Sequence, residues 1–257
     1  MISERLLAWF LSRVPKVDGG AWPHAQLLLG HRGARARAPE NTLPSFELAM
    51  QLGANGVEFD VFLSKDSVPV VIHDDTLERT TNGDGKVCDK TLAALQALDA
   101  ANGWPEFNGA FIPTLTQVLD AMPSASVVNI ELKGEGDFSK KKFVELVLET
   151  INASRDRLFI IVSSFDTKLL EILREADASI KIGFLVDEND WGYVGALISM
   201  KKVRPDSLHI RTQLATPRII ALAHEKGLRV LVWTVNDDDV AKELYAIGVD
   251  GIFSDMP

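Results

Sequence analysis

Along this chain, short runs of apolar, β-branched residues alternate with longer amphipathic stretches, and that alternation constrains the fold more than any other feature. The strand-like runs are Leu27–Gly30, Val57–Leu63, Val127–Leu132, Phe159–Ser163, Ile182–Val186, Ser207–Ile210, Arg229–Val235 and Gly251–Ser254. The helix-like stretches are Pro44–Leu52, Leu115–Met122, Lys141–Ile151, Lys168–Ala176, Trp191–Met200, Pro217–Glu225 and Val240–Ile247. Gly53, Gly227 and Gly248 follow helices where a left-handed cap is needed, and Thr114 and Asp166 precede helices as N-caps do. Strand–helix alternation marks a parallel sheet with helical crossovers. Val68–Ile72 is the exception. Only Ser64-Lys65-Asp66-Ser67 separates it from Leu63, too short for a parallel crossover, so it must return as an antiparallel hairpin. Eight parallel strands remain, and eight strand–helix units in 257 residues point to a single α/β domain, a (β/α)8 TIM barrel over 1–257. The eighth helix is missing from the pattern, and the N-terminal helix is a candidate to fill its place. Residues 74–113 carry Gly83, Gly85, Gly103, Pro105, Gly109 and Pro113 and fit no strand–helix unit. They are read as a small cap inserted after the hairpin, beside the barrel mouth.

Ile2, Leu6, Trp9, Phe10 and Arg13 fall at helical spacing, so an amphipathic helix is expected over 2–14. It covers one end of the fold, or else serves as a membrane-surface anchor or dimer contact. The apolar run Leu6–Leu11 is shorter than the roughly 7–15 residues of a signal core and far short of the roughly 20 of a membrane span. Net charge is −9, and the densest basic run is Lys140-Lys141-Lys142. That balance argues against nucleic acid as a partner, because such binding rests on neutralised phosphates. A single cysteine, Cys88, excludes an intrachain disulfide and a cysteine-rich zinc site.

In a (β/α)8 barrel the chemistry collects where the strands end. The first strand ends in Gly30-His31-Arg32-Gly33, the second carries Glu58-Phe59-Asp60, the third ends in Glu131-Leu132-Lys133, and the hairpin return ends in His73-Asp74. Glu58 and Asp60, two apart, project from one face of a strand. Two carboxylates on one face repel unless a positive charge lies between them, and Glu131 can complete a group of three. Hard oxygen ligands suit Mg2+, Ca2+ or Mn2+; salt bridges to Arg32 and Lys133 are the alternative. If Lys65-Asp66 is the hairpin tip, Val71 faces Asp60 and His73 faces Glu58. His31 and His73 then converge on the carboxylates. Arginine and lysine hold phosphate. A cation, Arg32, Lys133 and two histidines therefore describe a phosphodiester site, with one histidine accepting a proton and the other protonating the leaving alkoxide.

His31-Arg32-Gly33, Pro39-Glu40-Asn41-Thr42, Val57-Glu58-Phe59-Asp60-Val61, Val70-Val71-Ile72-His73-Asp74 and Leu77-Glu78-Arg79-Thr80-Thr81-Asn82-Gly83 resemble, in order and spacing, the glycerophosphodiester phosphodiesterase family. Ile130-Glu131-Leu132-Lys133, Ser163-Ser164-Phe165 and Val232-Trp233-Thr234-Val235 extend the likeness, which runs from about residue 27 to the C-terminus and leaves residues 1–22 outside. The resemblance implies a metal-dependent hydrolysis of glycerophosphodiesters to sn-glycerol 3-phosphate and an alcohol. It implies His31 and His73 as the acid–base pair, and Glu58, Asp60 and Glu131 as ligands of one divalent cation, Mg2+ or Ca2+, with Mn2+ as a further option. Arg32 and Lys133 would contact phosphate. Phe165 and Trp233 would line the substrate pocket, with core packing as the rival reading of both. Glu40 and Asn41 would brace the first loop. The resemblance is to the short, cytoplasmic branch acting on a small-molecule substrate. A homodimer is left open. Ser67 stands where the family has glycine at the hairpin turn. Two other readings remain: a lysophospholipase-D-like enzyme with the cap residues Trp104, Phe107, Phe111 and Ile112 forming a lipid rim, and a catalytically silent barrel that binds phosphodiesters or a partner protein.

Overall fold

The computed structural model describes residues 4–134, 138–186 and 193–257. Met1–Ser3, and with them Ile2 of the expected first helix, lie outside the described residues, as does Trp191 of the expected fifth crossover helix. In chain order the elements are α1 (Glu4–Leu11), β1 (Leu27–His31), α2 (Leu43–Gln51), β2 (Gly56–Leu63), β3 (Pro69–Val71), α3 (Leu92–Gln96), α4 (Leu115–Ala121), β4 (Val127–Leu132), α5 (Lys140–Asn152), β5 (Phe159–Ser164), α6 (Thr167–Ala176), β6 (Lys181–Leu185), α7 (Tyr193–Val203), β7 (Ser207–Arg211), α8 (Pro217–Glu225), β8 (Arg229–Trp233), α9 (Asp238–Ala246) and β9 (Gly251–Ser254). Eight parallel strands run β1-β9-β8-β7-β6-β5-β4-β2, and β2 pairs back to β1, so the sheet closes into a (β/α)8 barrel. β3 adds to β2 as the antiparallel return.

Strand pleating sorts the residues into two layers. Leu27, Leu29, Val127, Ile161, Leu231 and Phe253 point inward and fill the barrel axis. Val57, Phe59, Val61, Val128, Ile130, Val162, Leu208 and Val230 point outward and meet the helices through Phe46, Ala49, Phe143, Leu169 and Leu170. Each buried side chain of this size contributes roughly 1.5–3 kcal/mol. The caps expected from sequence form. Thr114 and Gln117 make a reciprocal capping box on α4. The Asp166 carboxylate accepts from the Lys168 and Leu169 amides and starts α6, just after the turn that carries Phe165. Gly53, Gly227 and Gly248 all take positive φ.

Three local expectations need correction. The N-terminal helix ends at Leu11, and it packs against α8 rather than filling the place of an eighth barrel helix. Leu7, Ala8, Phe10 and Leu11 are buried there, whereas Trp9 is half exposed beneath the Arg13 guanidinium. Beyond α1 the chain is tied down by the Val17 amide, which donates to the Lys226 carbonyl, and it delivers Trp22 against Phe159 at the N-terminal end of the barrel. Second, the hairpin register is one residue off the expected one: Val61 pairs with Val71 and Leu63 with Pro69. The reason is the turn. The Ser64 amide donates to the Val68 carbonyl, leaving a three-residue loop in which Ser67 adopts φ 62°, the left-handed position of such loops. Third, Val186 and Val235 fall outside the strands β6 and β8.

Residues 74–113 wrap the hairpin and share a small core with it: Phe62, Val70 and Ile72 from the hairpin meet Leu77, Val87, Leu95, Ala100 and Ile112. No helix among the described residues is long and apolar enough to cross a membrane.

The docking of α1 is integral to stability. Leu11→Ala is expected to lower unfolding free energy by about 2–4 kcal/mol in urea denaturation.

Candidate active site

At the C-terminal end of the strands lies a cavity of about 300 Å3. His31, Arg32, Glu58, His73, Glu131, Lys133, Phe165 and Trp233 all line it, and Asp60 lies just beneath. The structure therefore brings every site residue expected from sequence to one place.

The strands position the acidic residues. β1 pairs with β2 so that His31 lies beside Glu58, and β2 pairs with β4 so that Asp60 lies beside Glu131. One carboxylate oxygen from each of Glu58, Asp60 and Glu131 lies within 4.8 Å of the others. Both salt bridges weighed as the alternative to a metal are present. Lys133 Nζ lies 2.8 Å from Asp60 and 2.5 Å from Glu131, and Arg32 Nε lies 3.5 Å from Asp60. They do not balance the group evenly. Burial works to raise Asp60, but Lys133 and Arg32 outweigh it and hold that carboxyl far below its ordinary range. Burial, with Asp60 and Glu131 adding repulsion, pushes Glu58 well above its ordinary value. Burial pushes Glu131 up to about 7 against the pull of Lys133. The donor set suits a hard divalent cation: three carboxylates converge, and protonation or a cation must relieve two of them.

The loop after β1 is shaped to face this group. Arg32 adopts φ 55°, a left-handed conformation that costs a non-glycine residue on the order of 1 kcal/mol. Its amide donates to Glu58 Oε2 at 3.0 Å, which recovers part of that cost. Gly33 has no substitute here, because a Cβ would lie 2.3 Å from Ser45 Oγ. Asn41 donates to Asp60 Oδ2 at 2.9 Å. Glu40 accepts from Arg32 at 2.9 Å and from Arg79 at 2.8 Å. Burial works against its ionisation, but Arg79 and Arg32 bring it down to about 2. Both residues therefore brace the loop.

The slipped register changes how His73 arrives. Continued regularly, β3 would place residue 73 opposite Phe59, on the outward face. The strand ends at Val71, and the bend after it turns His73 into the cavity. Its Nδ1 lies 2.6 Å from Asp74 Oδ1, and Arg79 holds the other Asp74 oxygen at 2.5 Å. Burial, with Lys133 and Arg32, lowers the His73 imidazole below its usual value despite Asp60. Phe165, 40% exposed at the mouth, meets Trp233 edge-on at 5.9 Å, and Arg211 lies over the Trp233 ring at 4.7 Å.

Several residues of the site were not singled out from sequence. Asp255 lies 2.7 Å from His31 Nδ1; it follows β9 directly, so the strand-end rule could have found it. Asn129 precedes Glu131 by two on the same face, where period-two alternation points to it. His209 lines the floor of the cavity, fully buried and lowered by burial to about 3, with a Gly183 that leaves room for its ring. Arg35 also lines the cavity, and no pattern in the sequence distinguishes it.

Comparison with known proteins finds relatives that share the sequence and the barrel. A family model described as "Glycerophosphoryl diester phosphodiesterase family" matches residues 31–257. A glycerophosphodiester phosphodiesterase of Caldanaerobacter subterraneus is 35% identical over 90% of this chain and 94% of its own. Among solved structures, an Oleispira antarctica phosphodiesterase in complex with the product sn-glycerol-3-phosphate superposes with a TM-score of 0.82 at 32% identity, covering 90% of this chain and 93% of that one. A Thermotoga maritima glycerophosphodiester phosphodiesterase gives 0.73 at 33% identity, covering 91% and 96%.

The raised carboxyls set a pH dependence. A group raised above its unfolded value stabilises the fold below that value, and the contribution is lost as pH rises through the folded value, here about 7 for Glu131. A bound cation removes that loss, because it favours the ionised carboxylates. The rise in Tm on adding Mg2+ or Ca2+ is expected to be larger at pH 8 than at pH 6 by differential scanning fluorimetry. An equal rise at both would separate cation binding from these carboxylates.

Proposed function

This chain belongs to the glycerophosphoryl diester phosphodiesterase family and is a phosphoric diester hydrolase, and on that premise we propose that it cleaves glycerophosphodiesters to sn-glycerol 3-phosphate and an alcohol, with His31 and His73 as proton-transfer groups. The observation that carries this reading is the meeting of the two histidines with three carboxylates, Arg32 and Lys133 in one cavity. Glu58, Asp60 and Glu131 would hold a divalent cation, Mg2+, Ca2+ or Mn2+. Bound there, it would supply positive charge to the phosphoryl oxygens.

The chain's own residues do the rest. Arg32 is held by Glu40 through one guanidinium nitrogen and lies beside Asp60 through Nε, so its charge is fixed at the cavity wall, where it would meet a phosphoryl oxygen. Lys133 shares its charge between Asp60 and Glu131, and burial fails to lower it against their pull, so it stays an ammonium at any working pH. Each histidine has its Nδ1 against a carboxylate, Asp255 for His31 and Asp74 for His73. Both are thus oriented with Nε2 available to reacting groups. One takes the proton of the attacking oxygen, that of water or of the neighbouring glycerol hydroxyl, the latter giving a cyclic phosphate that water then opens; the other gives a proton to the leaving alkoxide as the P–O bond breaks. Phe165 and Trp233 supply the apolar wall beside the alcohol.

The small-substrate reading is favoured over the lipid one by the cavity lining, which includes none of Trp104, Phe107, Phe111 and Ile112. The silent-barrel reading requires a missing acid–base or acidic group, and all of them stand in the cavity or directly beneath it.

Metal-stripped protein given glycerophosphocholine is expected to release sn-glycerol 3-phosphate only after Mg2+, Ca2+ or Mn2+ is restored. His31→Ala and His73→Ala are each expected to lower kcat by about 10²-fold or more with little change in Tm. Glu58→Gln is expected to weaken the cation titration. Wild-type turnover in either histidine variant would overturn the acid–base assignment, and an unchanged titration would leave the carboxylates as salt-bridge partners alone.

A further inference from the structure

The residue that follows the last barrel strand reaches the first histidine across the closure of the barrel. β9 pairs in parallel with β1, Leu29 beside Phe253 and Gly30 beside Ser254, so the next position on each strand brings His31 and Asp255 together. Their side chains meet: Asp255 Oδ1 lies 2.7 Å from His31 Nδ1. The opposite ring nitrogen, Nε2, lies 4.0 Å from Glu58 Oε2 and so faces the carboxylate group.

The Asp255 carboxylate is itself held from three sides. Asn236 Nδ2 donates to its second oxygen at 2.9 Å. The Asn236 side-chain carbonyl accepts the Asp255 amide at 2.8 Å, which locks the two residues into a ring of hydrogen bonds. Arg35 Nε approaches Oδ1 at 3.4 Å. Burial alone would raise this carboxyl, but the contacts from His31 and Asn236 outweigh it and hold the group below its ordinary range.

We propose that Asp255 is a positioning residue for His31: it fixes the ring so that Nδ1 carries the proton and the Nε2 lone pair points at the reacting groups. An ionised carboxylate can only accept, so its partner at 2.7 Å must be the donor. In a neutral imidazole with the proton on Nδ1, Nε2 is the acceptor. Asn236 and Arg35 act one step further out, on Asp255. The turn after the last barrel strand thus contributes to a site whose histidines, carboxylates and basic residues otherwise come from the first three barrel strands and the hairpin. This inference rests on the reading of His31 as a proton-transfer group.

The test compares wild type, Asp255→Asn, His31→Ala and the double variant with glycerophosphocholine at saturating divalent cation. Asparagine keeps the shape, but it can present its amide N–H to Nδ1 and so favour the opposite tautomer. Asp255→Asn is expected to lower kcat by about 10²-fold or more with KM, cation affinity and Tm near wild type. Added to His31→Ala, it is expected to cost nothing further, because both changes disable the same group. Wild-type kcat in Asp255→Asn, with His31→Ala inactive, would overturn the positioning role and leave the reading of His31 standing. Activity retained in His31→Ala would overturn that reading, and the positioning role with it. Losses that multiply in the double variant would assign Asp255 to closing the barrel. If Asp255→Asn lowers Tm strongly, Asp255→Ala with added formate decides. Recovery of kcat with formate supports the positioning role, and its absence in folded protein overturns it.

Discussion

Three carboxylates buried at one end of an apolar barrel are the constraint around which the site is arranged. Glu58, Asp60 and Glu131 lie within 4.8 Å of one another with little water to screen them. Their repulsion has to be met by positive charge, or one of them must take up a proton. Lys133 and Arg32 meet most of it at Asp60, which leaves Glu58 and Glu131 raised. A divalent cation held there would complete the balance, and the same geometry would bring a phosphodiester's oxygens beside the ion, Arg32 and Lys133.

The surroundings exist to hold those charges still. The loop after β1 carries two non-glycine residues in left-handed conformation, Arg32 and Asn41, and each is tied to a carboxylate through its amide or side chain. A chain of ion pairs runs from Arg32 through Glu40 to Arg79 and Asp74, and a hydrogen bond carries it on to His73. The inserted segment 74–113 therefore does more than cover the hairpin. Its first residues connect one histidine to the arginine of the other side of the site. His31 has its own support in Asp255 and Asn236.

Much of this was legible in the sequence. The alternation of strand-like and helix-like runs gives parallel strands because such strands need long crossovers, and eight units in a chain of this length point to a closed ring. The pairing of Glu58 with Asp60 on one face follows from pleating alone. His73 was placed at the site by a register that is one residue out. The error came from the turn: Ser67 takes the left-handed position that a two-residue tip does not require, and a slip of one residue reverses the face. His73 reaches the cavity because β3 stops at Val71 and bends, and no residue pattern announces that bend.

What the sequence determined by itself is the order and spacing of the elements and the identity of the chemical groups at the strand ends, since both follow from local periodicity and from two-residue alternation. What the tertiary structure decided is which of those groups meet and what each meeting does to its charge. Asp255 is 224 residues from His31 along the chain and 2.7 Å away in space, because closing the barrel brings the last strand beside the first. The docking of α1 on α8, the three-residue turn at Ser67 and the uneven charge on three neighbouring carboxylates have the same origin. Each depends on burial and contact between segments distant in sequence, and those exist only once the barrel has closed.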